Sequence, residues 1–203
     1  MGRFEPQGLL PMQQPSYQTV TETFDWGPSV SKVIVNLGQT VTSKQVTPGS
    51  FKVHVRRELA EGALTPGEAM QLGKNAFVSL GSEARSAKDL EGDRTVTKAY
   101  VSDAQGKPVK SGQYVTLELK VGPQEILGAA LNFDLHTLLN NWVKSDYTIT
   151  EQQAVGRTAG LVIDNNQGNI RPQADKFRYG HQLVGIHDSF PYASYEPQDG
   201  GNH

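Results

Sequence analysis

The most constraining feature of this chain is a rhythm of short β-like runs, each closed by turn residues. The stretch 17–24 (YQTVTETF) alternates Tyr17, Thr19, Thr21 and Thr23 with Gln18, Val20, Glu22 and Phe24. The stretch 30–37 (VSKVIVNL) is rich in β-branched residues, and Phe51, Val53 and Val55 alternate with Lys52, His54 and Arg56. The stretch 94–102 (RTVTKAYVS) runs into Asp103-Ala104-Gln105-Gly106, a turn signal. In 114–121, Val115, Leu117, Leu119 and Val121 fall on one face and Thr116, Glu118 and Lys120 on the other. The stretch 103–112 between these two reads as a hairpin connection. A further strand is expected at 146–150 (DYTIT), and 126–139 is apolar and ambiguous between strand and helix. Period-two alternation with frequent turns predicts an all-β, antiparallel sandwich. No βαβ alternation precedes residue 150, which argues against a parallel sheet there.

One long interval breaks the rhythm. Between Arg57 and Asp93, Thr65-Pro66-Gly67-Glu68 has the form of a helix N-terminus, with a capping threonine, proline at the first helical position and glutamate at the third. A short helix inside a long insertion is expected there. Insertions of that length in compact domains often carry function.

Charge and cysteine content then limit the functions open to the chain. Over 203 residues, 19 Lys and Arg face 21 Asp and Glu, so there is no basic excess to neutralise a nucleic-acid backbone. No apolar run reaches the roughly 18 residues of a membrane span. Cysteine is absent, which removes disulfides, thiol nucleophiles and thiolate metal sites. Residues 1–17 lack the apolar core of a signal peptide and carry Pro6, Pro11 and Pro15.

Catalytic motifs are missing. There is no G-x-S-x-G elbow, no phosphate-binding glycine loop and no H-E-x-x-H. None of His54, His136, His181, His187 and His203 is paired at the i, i+4 spacing of a helical metal site. His187-Asp188 are adjacent, and neighbouring residues in a strand face opposite ways. The stretch 164–169 (DNNQGN) has Gly168 where a calcium loop needs a third ligand, so it reads as an ordinary turn. No cofactor, metal or catalytic residue is therefore expected. Arg56-Arg57 reads as a solvated strand end. Trp142 sits beside an apolar segment, as a core residue would, whereas Trp26, just before Gly27-Pro28, is a candidate ligand-binding residue.

Three segments together carry a resemblance: 51–55 (FKVHV), 94–103 (RTVTKAYVSD) and 112–119 (GQYVTLEL). The chain resembles the immunoglobulin-like N-terminal domain of bacterial α/β-hydrolase esterases. The stretch 189–197 (SFPYASYEP) is similar to an early strand of the hydrolase domain itself. In that family the next strand is apolar and ends in His-Gly, and its expected place lies beyond residue 203. No position here matches the family's Ser-His-Asp triad.

The resemblance implies an immunoglobulin-like sandwich with a long insertion and a C-terminal strand extension. The expected layout is a lead over 1–15, the sandwich over 16–152, a linker over 153–180 and the first strands of a hydrolase domain over 181–203. It also implies a non-catalytic module serving domain packing, assembly or the shape of a substrate entrance, and export of the parent enzyme. The expected partner is an α/β-hydrolase catalytic domain, in the same chain or separate, with homo-oligomerisation left open. Phe190, Tyr192 and Tyr195 are the candidate interface residues. The competing expectation is a stand-alone carbohydrate- or polymer-binding sandwich that uses Trp26.

Overall fold

The computed structural model describes residues 13–58, 90–134, 139–157, 159–172, 177–184 and 188–195. The helix expected near 65–70 lies outside them. No α-helix occurs among the described residues.

Two sheets face each other. The first has five strands: β1 (Ser16–Phe24), β2 (Gly27–Thr42), β5 (Val96–Ser102), β6 (Ser111–Leu119) and β11 (Asn166–Ile170), in the order β11-β1-β2-β6-β5. The second has four: β3 (Phe51–Glu58), β4 (Glu91–Arg94), β9 (Lys144–Glu151) and β10 (Val162–Ile163), in the order β10-β9-β3-β4. Two hairpins stand apart from these sheets, β7 (Leu131–Asp134) with β8 (Leu139–Trp142), and β12 (Phe177–Val184) with β13 (Asp188–Tyr195). The ambiguous 126–139 stretch thus holds a 3₁₀ turn, Ile126–Gly128, followed by β7 and the start of β8.

The core follows from the alternation. Strand β3 buries Phe51, Val53, Val55 and Arg57 and exposes Lys52, Arg56 and Glu58, with His54 partly covered. Phe51, Val53 and Val55 join Val33, Val35, Val115 and Leu117 from the first sheet, and Tyr147, Ile149 and Ile163 complete the cluster from the second. Burial of such side chains, at about 1.5–3 kcal/mol each, is the main favourable term. The hairpin connection between β5 and β6 folds back over the outer face of the first sheet. Asp103 Oδ1 accepts from the backbone N–H groups of Gln105 and Lys107 at 2.9 Å each, and Tyr100 donates to the Gly106 carbonyl at 3.3 Å.

Two arginines lie inside. Arg57 is 4% exposed and donates to the Ala129 carbonyl at 2.9 Å. This corrects the expectation of a solvated Arg56-Arg57 end: strand period sends Arg56 outward and Arg57 inward. Arg94 donates to the Tyr147 hydroxyl at 2.8 Å and to the Val30 and Lys120 carbonyls at 2.9 and 3.1 Å, bridging the sheets. Gly128 permits this, because a Cβ there would stand 2.7 Å from Arg94 Nη2. Tyr17 crosses the core in the other direction. Its ring meets Tyr147 edge-on, and its hydroxyl accepts the Tyr147 N–H at 3.0 Å.

The segment expected as a linker behaves differently in its first part. Buried Glu151 accepts the Val155 N–H at 2.6 Å and the Leu161 N–H at 3.2 Å, folding the chain back on itself. Val155 and Ile163 then enter the core, β10 pairs with β9, and β11 pairs with β1. The β1–β11 pairing is parallel, the one parallel pairing among the described strands.

Candidate functional site

Three exposed features are chemically distinct: the β1–β2 turn end of the sandwich, the opposite end, and the outer face of the second sheet.

At the first end, Phe24 pairs with Gly27 across the two-residue turn Asp25-Trp26. Gly27 has φ of +116°, a conformation that disfavours a side chain. So tight a turn projects its residues past the last cross-strand pair, where none of the described strands covers them. Trp26 is 45% exposed and stacks on Phe24, with ring centroids 4.9 Å apart and planes within 1°.

The β7–β8 hairpin is tied to this end as well. Ser29 bridges Ala129, Ala130 N–H donates to the Pro28 carbonyl at 2.9 Å, and Val143 N–H donates to the Ala130 carbonyl at 2.9 Å. Trp142, opposite Leu131 in that hairpin, is 46% exposed. Arg171 leaves β11 and lies over its ring, the guanidinium carbon 4.1 Å from the centroid. Such a contact stabilises by roughly 0.5–1 kcal/mol at an exposed site. Asn169 holds the arginine. Its amide sits 2.8 and 2.9 Å from the Thr19 and Thr21 hydroxyls, and in the orientation that satisfies both its ends it accepts from Arg171 Nε at 3.3 Å.

Trp26 thus lies on the surface. Trp142 is not a core residue, which corrects the reading from its apolar neighbours. Sequence reasoning missed Phe24 and Arg171 as its surface companions. An aromatic on either side of Asp25 was the available signal for the first; nothing in the sequence pairs Arg171 with Trp142.

The opposite end carries a neutral polar cleft of about 370 Å³, walled by Gln14, Gln18, Asn36, Tyr114, Asn165 and Gln167 among others. On the outer face of the second sheet, His54 is held between two carboxylates, Nδ1 2.8 Å from Asp93 and Nε2 2.9 Å from Glu91. Lys52 adds a contact to Asp93 at 3.2 Å. The Glu91 and Asp93 hydrogen bonds raise the His54 pKa above its ordinary 6.5, and the His54 bond holds Asp93 below its own. Among the described residues no cluster of His, Asp or Glu could hold a metal ion. No helix among them is long and apolar enough to cross a membrane.

Phe190, Tyr192 and Tyr195 all fall in β13, paired in backbone register with Gln182, Gly180 and Phe177 of β12. They share one strand, and Trp26 lies in the sandwich.

Comparison with known proteins fits this architecture. No curated protein sequence matches the chain. Among solved structures, a match described as the crystal structure of a thermostable esterase has a TM-score of 0.54 at 18% identity, covering 91% of this chain and 43% of the esterase chain. At that identity the likeness concerns the fold, and the chain spans less than half the length of that protein. The family model of the esterase Ig-like N-terminal domain matches residues 16–164, the stretch that ends just past β10. The chain belongs to the esterase Ig-like N-terminal domain family.

Proposed function

We propose that this chain is the front, non-catalytic module of an α/β-hydrolase esterase, packing against the catalytic domain and helping to shape its substrate entrance and assembly. The observation that carries the reading is the change of architecture after β11. The family match ends at residue 164, and the chain goes on to a hairpin that forms a sheet of only two strands among the described residues. A two-stranded hairpin alone is marginal in water. Its backbone edges call for further strands, and in this reading the later strands of the hydrolase sheet supply that need. Ester hydrolysis by a serine nucleophile needs an elbow, a base and an oxyanion hole together. In this reading the chain's own sequence holds none of them, and the chemistry belongs to the partner domain. Export of the parent enzyme is part of the same reading.

The test begins with the reading frame downstream of codon 203. The expected outcome is an apolar strand ending in His-Gly and a later G-x-S-x-G, with ester turnover by the longer polypeptide and none by the 203-residue chain. Ester turnover by the short chain that survives repurification contradicts the reading. So does a stop codon together with no hydrolase co-purifying from the source.

The stacked Phe24–Trp26 pair supports a second reading, a stand-alone polysaccharide-binding sandwich. Retention of the wild-type chain on insoluble polysaccharide, lost in Trp26→Ala, would favour it.

A further inference from the structure

We infer that the β1–β2 turn end of the sandwich, bearing Phe24, Trp26, Trp142 and Arg171, is the face that docks onto the domain to which the β12–β13 hairpin belongs. The inference rests on the reading above that this domain is the ester-hydrolase domain. Chain length makes the first argument. Arg171 lies over Trp142 and β12 begins at Phe177. Six residues span at most about 20 Å even when fully extended. The hairpin therefore starts within that distance of Arg171 and of the Trp142 ring it covers, which puts the tryptophan end within reach of the sheet that receives it.

Surface chemistry makes the second argument. The chain has two tryptophans, and both are half-exposed at this one end. Tryptophan and arginine dominate interface hot spots because they bury much area with few lost rotamers. Arg171 is already oriented by Asn169 and the Trp142 ring, which lowers the ordering cost on contact. The complementary surface on the partner is an apolar patch carrying a carboxylate that meets Arg171. The outer face of the second sheet, by contrast, carries Lys52, His54, Glu91 and Asp93 in ion pairs with one another.

The experiment compares the 203-residue chain with the longer hydrolase polypeptide by hydroxyl-radical oxidation read by peptide mass spectrometry. Trp26 and Trp142 report on the docking face, and Tyr114, in the amide-lined cleft, is the control. The expected result is oxidation of both tryptophans about fivefold slower in the longer polypeptide, the ratio for going from half-exposed to an interface core, with Tyr114 unchanged. Equal rates in a longer polypeptide that hydrolyses esters overturn the docking face and leave the functional reading standing. Protection in the short chain that grows with its own concentration, or that needs insoluble polysaccharide, assigns the face to a second copy or a glycan and overturns it too. A longer polypeptide with no hydrolase domain removes the reading beneath the inference, and the inference with it.

Discussion

The sandwich and the hairpin that follows it are both built on antiparallel pairing, and they differ in the size of the sheets they belong to. In the sandwich, each sheet hides one face against the other: Val53 and Val55 of β3 meet Val33, Val35, Val115 and Leu117 across the gap. Arg94 and Tyr17 add polar bridges through that core, Arg94 through its two terminal nitrogens while its buried Nε has no partner, and Tyr17 through its hydroxyl. The β12–β13 hairpin makes eight backbone pairs, from Phe177↔Tyr195 to Val184↔Asp188, and forms no larger sheet with the described strands. Backbone pairing alone does not make a region self-sufficient, because net stability comes mainly from area removed from water and only modestly from each hydrogen bond; in the proposed reading the hairpin gains that area from the hydrolase sheet.

That comparison can be broken most sharply at Arg94. Arg94→Ala leaves a cavity and strips donors from the Tyr147 hydroxyl and two carbonyls, and is expected to destabilise the sandwich by about 3–5 kcal/mol. Urea unfolding followed by circular dichroism reads this directly; a loss below about 1 kcal/mol would mean that the bridge contributes little. Tyr17→Phe keeps the ring and removes the acceptor of the buried Tyr147 N–H. The expected loss is about 1–3 kcal/mol, seen as a lower unfolding midpoint at unchanged slope.

The His54 cluster has a smaller, pH-dependent effect. His54 has a raised pKa, so its contribution is present below 6.5 and lost as pH rises through the raised value. Asp93 has a lowered pKa, so its share of the same interaction is present above the ordinary 3.8 and lost as pH falls through the lowered value. The cluster is more than a third exposed, which limits its contribution to about 1 kcal/mol or less. His54→Gln should flatten the stability profile of the sandwich between mildly acidic and mildly alkaline pH; an unaltered profile would show that the three groups do not interact in solution. The smallest effect belongs to removal of residues 173–203. The sandwich should keep its unfolding free energy within about 0.5 kcal/mol, and a larger drop would show that the hairpin region is part of its core.

Much of this architecture was readable in advance, for a physical reason. Over Phe51–Arg56, β3 alternates apolar with polar or charged residues because one face is buried and the other wet, and in β6 Val115, Leu117 and Leu119 keep the same period although Thr116 between them is buried too. Strand β11 was not readable. Its side chains are almost all exposed, so NQGNI has no apolar period, and its backbone pairing with β1 leaves no mark on composition. The fold-back held by Glu151 was hidden too, since a glutamate at a strand end ordinarily faces water. Trp142 misled through its neighbours: an apolar segment need not bury every member, and the terminal residue of a short hairpin lies past the last cover. The candidate site was legible at Trp26, whose turn is local. It was illegible at Arg171, which reaches Trp142 only through the parallel placement of β11.

Whether the hairpin needs a partner sheet is read from amide hydrogen exchange on the 203-residue chain. The account predicts slow exchange over the paired amides of β1–β3, β5, β6 and β9, and fast exchange throughout β12 and β13, which become protected only in the polypeptide that carries the hydrolase domain. Protection of β12 and β13 in the short chain equal to that of the sandwich core would contradict it, because the hairpin would then be stable without a partner sheet.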